Sequence, residues 1–193
     1  MFHVKHHFCI IMYMKNTRFS IISIFAAVII ILQILSTYIN FGGFPITLTL
    51  IPIIVIGAIY GPTYSSALGL VFGVVVSIMV LVGLDPNGAM MFAKHPIITI
   101  ITCLLKGMLC GYVGAIVYKN IQNKKTAIIL DAAITPITNT LILYLSLIIF
   151  FDSSFSTMVG AFISINFIIE LLTNILIAPG LLGLIRRIES RNK

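Results

Sequence analysis

The residues most suited to binding or proton transfer are two ionisable side chains within long apolar runs. Lys106 lies in the run from Pro96 to Tyr118, and Glu170 lies in the run from Thr157 to Ile185. A charge inside a membrane is costly, so such residues usually face protein or a polar cavity. Lys106 lies roughly 15 Å and Glu170 roughly 20 Å from the outer ends of their predicted helices. They could meet as a structural ion pair or as part of a site for a polar solute, and both interpretations stay open.

Polar residues recur at three- or four-residue spacing on three consecutive predicted helices, which places them on one face of each helix. They are Thr99, Cys103 and Lys106 on the fourth helix, Thr135 and Asn139 beside Pro136 on the fifth, and Asn166, Glu170 and Asn174 on the sixth. Interhelical hydrogen bonds would explain any one of these residues. Three polar faces together indicate a cavity between the last three helices. The candidate substrate-binding residues are this set and Asn40, which follows the first apolar run.

No catalytic or cofactor motif accompanies these residues. The sequence has no GxSxG, HExxH or GxxxxGK[ST] motif. Its three cysteines give no disulfide framework, and no Cys/His set has zinc-ligand spacing. The cluster of His3, His6 and His7 is interpreted as part of an N-terminal extension rather than a metal site. We therefore expect no enzyme activity, no metal and no cofactor, so that any uphill transport needs an ion gradient or a partner.

The composition is that of a chain surrounded by lipid. Of its 193 residues, 60% are hydrophobic and 9% are charged, and the mean hydropathy is +1.16. Globular domains carry about a quarter charged residues, so this chain has too little charge for a surface that faces water. The net charge of +7 does not indicate nucleic-acid binding, because the basic residues form short clusters between apolar runs.

The elements that must position the polar residues are membrane-spanning helices, each of about 20 apolar residues. Apolar runs predict six helices, over Phe19–Tyr38, Ile46–Ile59, Tyr64–Leu84, Pro96–Tyr118, Thr126–Phe151 and Thr157–Ile185. The second is short for a span and is predicted as a half-helix or a helix that begins inside a buried loop. Asp85 to Gly88 predict a turn, with a polar loop continuing to His95. The predicted fold class is all-α, an integral membrane bundle of six transmembrane helices.

Basic residues predict the orientation and the domain limits. With the N-terminus inside, ten of the twelve Lys and Arg residues lie in inside segments, as the positive-inside rule requires. Both termini are therefore predicted to be cytoplasmic. Residues 1–18 form a basic lead, of which 1–13 are interpreted as either untranslated or disordered. Residues 19–185 form the membrane domain, and residues 186–193 form a basic cytoplasmic tail.

Four segments resemble the substrate-binding membrane subunits, or S-components, of energy-coupling factor (ECF) vitamin transporters. They are GGFPITLTLIPIIVIGAIYGPTYSSALGLVFG at 42–73, HPIITIITCLLKGMLCGYVGAIVYK at 95–119, TPITNT at 135–140 and INFIIELLTNILIAPGL at 165–181. The apolar run broken by Gly-Pro, the Lys-Gly of the fourth helix and the Asn-Phe-x-x-Glu of the sixth strengthen the resemblance, which extends over almost all of the chain from Met14.

The resemblance implies a function and a set of partners. S-components have six helices and bind a vitamin from outside, in a site built by the late helices and capped by the loop after the first helix. A membrane-embedded coupling subunit and two ATP-binding-cassette ATPases supply the energy, and the S-component topples in the membrane to release its cargo. The docking pattern Ala-x-x-x-Ala is matched here by Ser23 and Ala27. The implied location is the bacterial plasma membrane, as a multi-pass protein.

Two further observations bear on the substrate. The chain has no Trp, which weakens the case for a flat-ring vitamin held by aromatic stacking. Lys106 suits a carboxylate-bearing solute, and the motif wording is most similar to the pantothenate members of the family. Pantothenate is therefore the favoured substrate, with riboflavin, folate or another vitamin as alternatives. A stand-alone carrier in which Lys106 and Glu170 couple a proton is the alternative from another class.

Overall fold

The protein is a helical bundle, seen in a computed structural model that describes residues 20–36, 38, 40–41, 44–45 and 48–191. The elements are α1 (Ser20–Ser36), β1 (Asn40–Phe41), β2 (Phe44–Pro45), α2 (Leu50–Tyr60), α3 (Pro62–Leu81), α4 (Pro86–Lys94), α5 (Pro96–Asn120), α6 (Lys124–Phe150) and α7 (Ser153–Arg191). The two short strands pair antiparallel, with Phe41 opposite Phe44. The predicted lead, residues 1–18, lies outside the described residues.

Four helices are long and apolar enough to cross a membrane. They are α3, α5, α6 and the part of α7 from Asn166 to Arg187. Helices α1 and α2 are apolar but shorter. The prediction of an all-α membrane bundle is confirmed at this level, and six spans with both termini on one side remain a prediction.

Helix α2 is short and lies buried within the bundle. Every residue from Leu50 to Gly57 is buried, and the helix packs against α3, α5, α6 and α7. A helix that is apolar all round is typical of such a central position. Its 11 residues extend about 16 Å, roughly half of the hydrocarbon thickness. Gly61, with φ +93°, makes the turn from α2 into α3.

A segment predicted to be irregular is helical instead. The polar loop expected up to His95 contains α4, whose N-cap is Asp85, which accepts a hydrogen bond from the Gly88 amide at 3.1 Å. The Asp-Pro pair that indicated a turn also suits a helix start, because Asp caps the free amides and Pro fits the first helical position.

Helix α7 is longer at both ends than the helix predicted over Thr157–Ile185. It runs from Ser153 to Arg191, so it begins four residues earlier than predicted and continues through residues 186–191. The sequence after Ile185 contains no Pro or Gly to break the helix, and Arg and Glu favour helical structure. The helix therefore does not end where the apolar run ends.

A glycine seam brings α3 and α5 into backbone contact. A Cβ atom on Gly69 would lie 2.0 Å from the Gly107 carbonyl oxygen, and one on Gly73 would lie 2.6 Å from the Cys103 carbonyl oxygen. No side chain fits between backbones at these distances. These glycines therefore pack the chain's own helices, and they fix α5, which carries Lys106, against α3.

The substitution Gly69→Ala should lower the free energy of unfolding by about 1–3 kcal/mol, because the added methyl group overpacks the seam. The matched control is Gly180→Ala, because a Cβ there meets nothing within 4 Å. That control should be neutral or stabilising by up to about 1 kcal/mol, since alanine favours the helix. Unfolding of both purified variants in detergent measures the difference, and equal stabilities would contradict the seam.

The two ends of the bundle differ in charge. At one end Arg186 donates a hydrogen bond to the Tyr118 hydroxyl, and Lys124 Nζ lies 5.0 Å from the centre of the same ring. At the other end Lys94 pairs with Asp152. Because α5 has 25 residues, the two ends lie about 37 Å apart. They are named here the Tyr118 end and the Lys94 end.

Candidate solute-binding site

A small cavity lies at the Lys94 end, beneath α4. Its volume is about 40 Å³, which is room for about three water molecules. Helix α5 contributes the predicted residues Thr99, Cys103 and Lys106 to its lining, and the other lining residues are Asp85, Asn87, Gly88, Met91, Leu143 and Ile163. The four helices α4 to α7 therefore meet around it. A vitamin-sized solute fits only if one of these helices moves.

Helix α4 is the cover of this cavity, and its last turn is fastened to the start of α7. Lys94 Nζ lies 2.9 Å from Asp152 Oδ2 and 4.4 Å from the centre of the Phe155 ring. The His95 ring packs edge-on against Phe151 at 5.1 Å. The ion pair is exposed, with Lys94 at 41% and Asp152 at 82%, and exposed pairs add little stability. The contact between α4 and the start of α7 can therefore break at a small cost in free energy.

Lys106 is a buried cation without an ion pair. Its residue is 9% exposed, and its Nζ lies 5.7 Å from the centre of the Phe72 ring. Among the described residues, Lys106 Nζ has no ion-pair partner within 4.0 Å and donates no hydrogen bond. The ion pair found there is Lys94–Asp152. Lys106 and Glu170 attract one another electrostatically but do not touch. Of the two interpretations left open by the sequence, a direct ion pair is therefore not formed between these two described residues.

Polar side chains of α7 lie at the contact between α6 and α7. Glu170 is 3% exposed, and the side chain of Asn139 on α6 interacts with its carboxyl group electrostatically. Asn174 Nδ2 donates to the Glu170 carbonyl oxygen at 2.6 Å. The side-chain oxygens of Asn139, Asn166 and Asn174 have no hydrogen-bond donor among the described residues. Leaving a buried acceptor unpaired costs about 1–3 kcal/mol, so these oxygens favour a solute that brings donors.

This arrangement can hold a solute that combines an anionic group with several O–H or N–H donors. Lys106 would receive the anion through a charge-assisted hydrogen bond, which is stronger than a neutral one. Asn139 Oδ1, Asn166 Oδ1 and Asn174 Oδ1 would accept from the donors. The polar face of α7, from Asn166 to Asn174, extends about 12 Å along the helix. That length matches a small extended molecule.

Other candidate residues lie apart from the cavity. Thr135 donates a hydrogen bond to Asp131 Oδ1 at 2.9 Å, so its hydroxyl belongs to a different polar pair. Asn40 lies in β1, and its side chain lies outside the described part of the structure. Strand β2, which pairs with β1, lies against α7. The predicted set is thus divided between the cavity, the α6–α7 contact and a third location.

The sequence analysis did not select two acidic residues, the buried Asp131 and the cavity-lining Asp85. Asp131 is a buried carboxyl group in the fifth apolar run, and the rule that selected Glu170, an acid within an apolar run, would also have found it. Asp85 was interpreted as a turn residue, but it both caps α4 and lines the cavity. Asp85 lies at the cavity because residues 86–94 form a helix that begins directly after it. The sequence signal for that helix was Asp85 followed by Pro86.

Comparisons with known proteins agree with the geometry. The family model for the substrate-specific component of ECF transporters matches residues 18–182. The chain belongs to this family. It is also similar to the pantothenic acid transporter PanT of Lactococcus lactis subsp. cremoris (strain MG1363), at 25% identity over 182 residues, which is 86% of this chain and 92% of that protein. No solved structure matches the chain.

Membership confirms the resemblance found in the sequence. An ECF substrate-specific component is a transporter subunit that binds solute, and the family is not one of enzymes. The apolar helices described above agree with a membrane protein of this kind. For an S-component, a buried cation and unpaired acceptor oxygens between helices are the features expected of a solute site.

The substitution Lys94→Met tests the fastening of α4. The hydrogen bond from Lys94 and its positive charge hold the pKa of Asp152 below the usual aspartate value. The contact should therefore persist above that usual range and be lost as the pH falls through the lowered pKa. Removing Lys94 should raise the pKa of Asp152 toward the usual aspartate value, as measured by carbon NMR titration of labelled aspartate. Lys125→Met, at the other end, should leave it unchanged, and an unaltered pKa in the Lys94 variant would contradict the contact.

Proposed function

We propose that this S-component captures pantothenate from outside the cell and delivers it inward with the help of partner subunits. The observation that carries the proposal is Lys106, a buried cation beside a cavity with no ion pair to a described residue. An unpaired buried charge is unfavourable, so an anionic solute that pairs with it would be held firmly. Pantothenate offers one carboxylate for this purpose.

The rest of the pantothenate molecule matches the α6–α7 contact. Its two hydroxyl groups and its amide N–H are donors, and Asn139, Asn166 and Asn174 each present an unpaired acceptor oxygen. The described lining of the cavity contains no aromatic residue, which disfavours a flat-ring vitamin bound by stacking. The similarity to a protein named as a pantothenic acid transporter supports the same substrate.

The charge pairing is tested by a cycle of one substitution and one change in the ligand. Pantothenol carries a hydroxymethyl group in place of the carboxylate of pantothenate. The unmodified protein should prefer pantothenate over pantothenol by about 10- to 150-fold, because a hydrogen bond to a charged group contributes roughly 1.5–3 kcal/mol. In Lys106→Met this preference should disappear, with affinities measured by calorimetry on purified protein.

The controls separate the site from the fold. Lys119→Met, an exposed lysine at the Tyr118 end, should keep the preference, and thermal unfolding should show that Lys106→Met is folded. Equal binding of pantothenate by the Lys106 variant and the unmodified protein would refute the role of Lys106. Displacement by riboflavin or folate, with no binding of pantothenate, would refute the substrate.

We also propose that the outward face of α1 docks the coupling subunit. Ile22, Phe25 and Ala26 of α1 pack against the core, whereas Ser23 and Ala27 lie on the exposed side. Small residues at four-residue spacing allow another helix to approach closely. This face is therefore suited to a membrane helix of a partner, which would link the S-component to its ATPases.

The substitution Ala27→Leu should reduce ATP-dependent uptake by about tenfold or more, because overpacking costs roughly 1–3 kcal/mol at a close helix contact. Pantothenate binding by the isolated chain should be unchanged. Ile97→Phe adds bulk at an exposed position on α5 and should leave uptake intact. Uptake into vesicles that contain this chain alone, abolished by an uncoupler, would instead indicate a proton-coupled carrier and would contradict the need for ATPases.

A further inference from the structure

A second buried polar pair lies on α6, outside the cavity. Asp131 is 1% exposed, and its Oδ1 accepts the hydrogen bond from Thr135 Oγ1 at 2.9 Å. Its Oδ2 is buried and has no hydrogen-bond partner among the described residues. Asp131 lies eight residues from Asn139, about 12 Å along α6 toward the Tyr118 end. The solute site described above therefore does not explain this carboxyl group.

Helix α5 packs closely against the pair at Gly114. A Cβ atom on Gly114 of α5 would lie 2.1 Å from Thr135 Oγ1 and 2.3 Å from Asp131 Oδ1. Glycine at this position is what allows α5 to approach the carboxyl group so closely. The pair is buried, and the low polarity of a buried position strengthens any electrostatic interaction there.

The charged and titratable groups on the neighbouring helices do not neutralise Asp131. Helix α5 contributes Cys110 and Tyr118, one turn before and one turn after Gly114, and Lys106 two turns before it. Helix α7 contributes Glu170, itself an acid, and Arg186, which is bonded to Tyr118. Helix α2 contains Tyr60 and no charged residue. Among the described residues, Asp131 makes no ion pair.

The local sequence supplies further oxygen atoms. Pro136 has no N–H group, so the carbonyl oxygen of Ala132 loses its helical hydrogen bond. This carbonyl, the Thr135 hydroxyl and the two Asp131 oxygens all belong to about one turn of α6. An isolated carboxylate in such surroundings is strongly unfavourable. A small positive ion at the carboxyl group would remove that cost.

We infer that Asp131, together with Thr135, binds one small monovalent cation, either a proton or a sodium ion, at a site separate from the solute site. The cation neutralises the carboxyl group and thereby stabilises the contact between α5 and α6. A bound proton leaves a neutral carboxylic acid, whereas sodium would be held by the carboxylate, hydroxyl and carbonyl oxygens.

The test is thermal unfolding of the full, solute-free chain, compared with Asp131→Asn and with the exposed control Asp152→Asn. If the ion is a proton, the folded state retains it more firmly than the unfolded state, so stability is greatest at low pH and falls as the pH rises. If the ion is sodium, replacing choline by sodium at constant ionic strength should raise the unfolding temperature by about 3 °C or more. Asp131→Asn should lose the response, and Asp152→Asn should keep it.

A second measurement needs no substitution, in case Asp131→Asn fails to fold. Infrared spectra of protein labelled with ¹³C at the aspartate carboxyl report on three residues, Asp85, Asp131 and Asp152. A labelled carbonyl stretch of a protonated acid at neutral pH supports the proton. Its absence, together with stabilisation by sodium, supports the sodium ion.

An ionised Asp131 with no response of the unfolding temperature to sodium would overturn the inference. So would an equal response to pH or sodium in the unmodified protein and in Asp131→Asn. Because no pantothenate is present in these experiments, their outcome is independent of the proposed substrate.

Discussion

Hydrocarbon cannot form hydrogen bonds, and this constraint favours the burial of ionisable side chains inside the bundle. Lys106, Asp131 and Glu170 all belong to helices long enough to cross a membrane, and all three are buried. Once buried, they need hydrogen-bond or ion-pair partners inside the protein. Among the described residues such partners are few, and this shortage is the basis of the solute and ion binding proposed above.

The same constraint explains why much of the fold could be predicted from the sequence. Long apolar runs in a membrane favour helices, so α3, α5 and α6 were predicted with nearly correct ends, whereas α7 was predicted too short at both ends. The inward direction of Lys106 and Glu170 followed from the cost of exposing them to lipid. The close packing of α3 against α5 depends on glycine, because the two helices touch backbone to backbone at Gly69 and Gly107.

Elements outside the apolar core were harder to predict. Helix α4 is short, and its start signal, Asp85 followed by Pro86, is shared with simple turns. The end of α7 could not be located because leaving the membrane does not require a helix to stop. The division of the polar residues also escaped prediction. Thr135 and Asn139 are one turn apart on α6, yet Thr135 donates a hydrogen bond to Asp131 and Asn139 lies near Glu170. Only three-dimensional packing determines which neighbour each side chain meets.

The uninterrupted length of α7 has a mechanical consequence. Its 39 residues extend about 58 Å, whereas a whole bilayer with its headgroups is about 40–45 Å thick. A helix longer than the bilayer must lean over or project into water. Pro179 lies inside α7, between its arginine-bearing end and the residues from Asn166 to Asn174, and removes one backbone hydrogen bond there. A force that a neighbouring protein applies to the arginine-bearing end would therefore reach Ile163 in the cavity wall through a helix that can bend at Pro179.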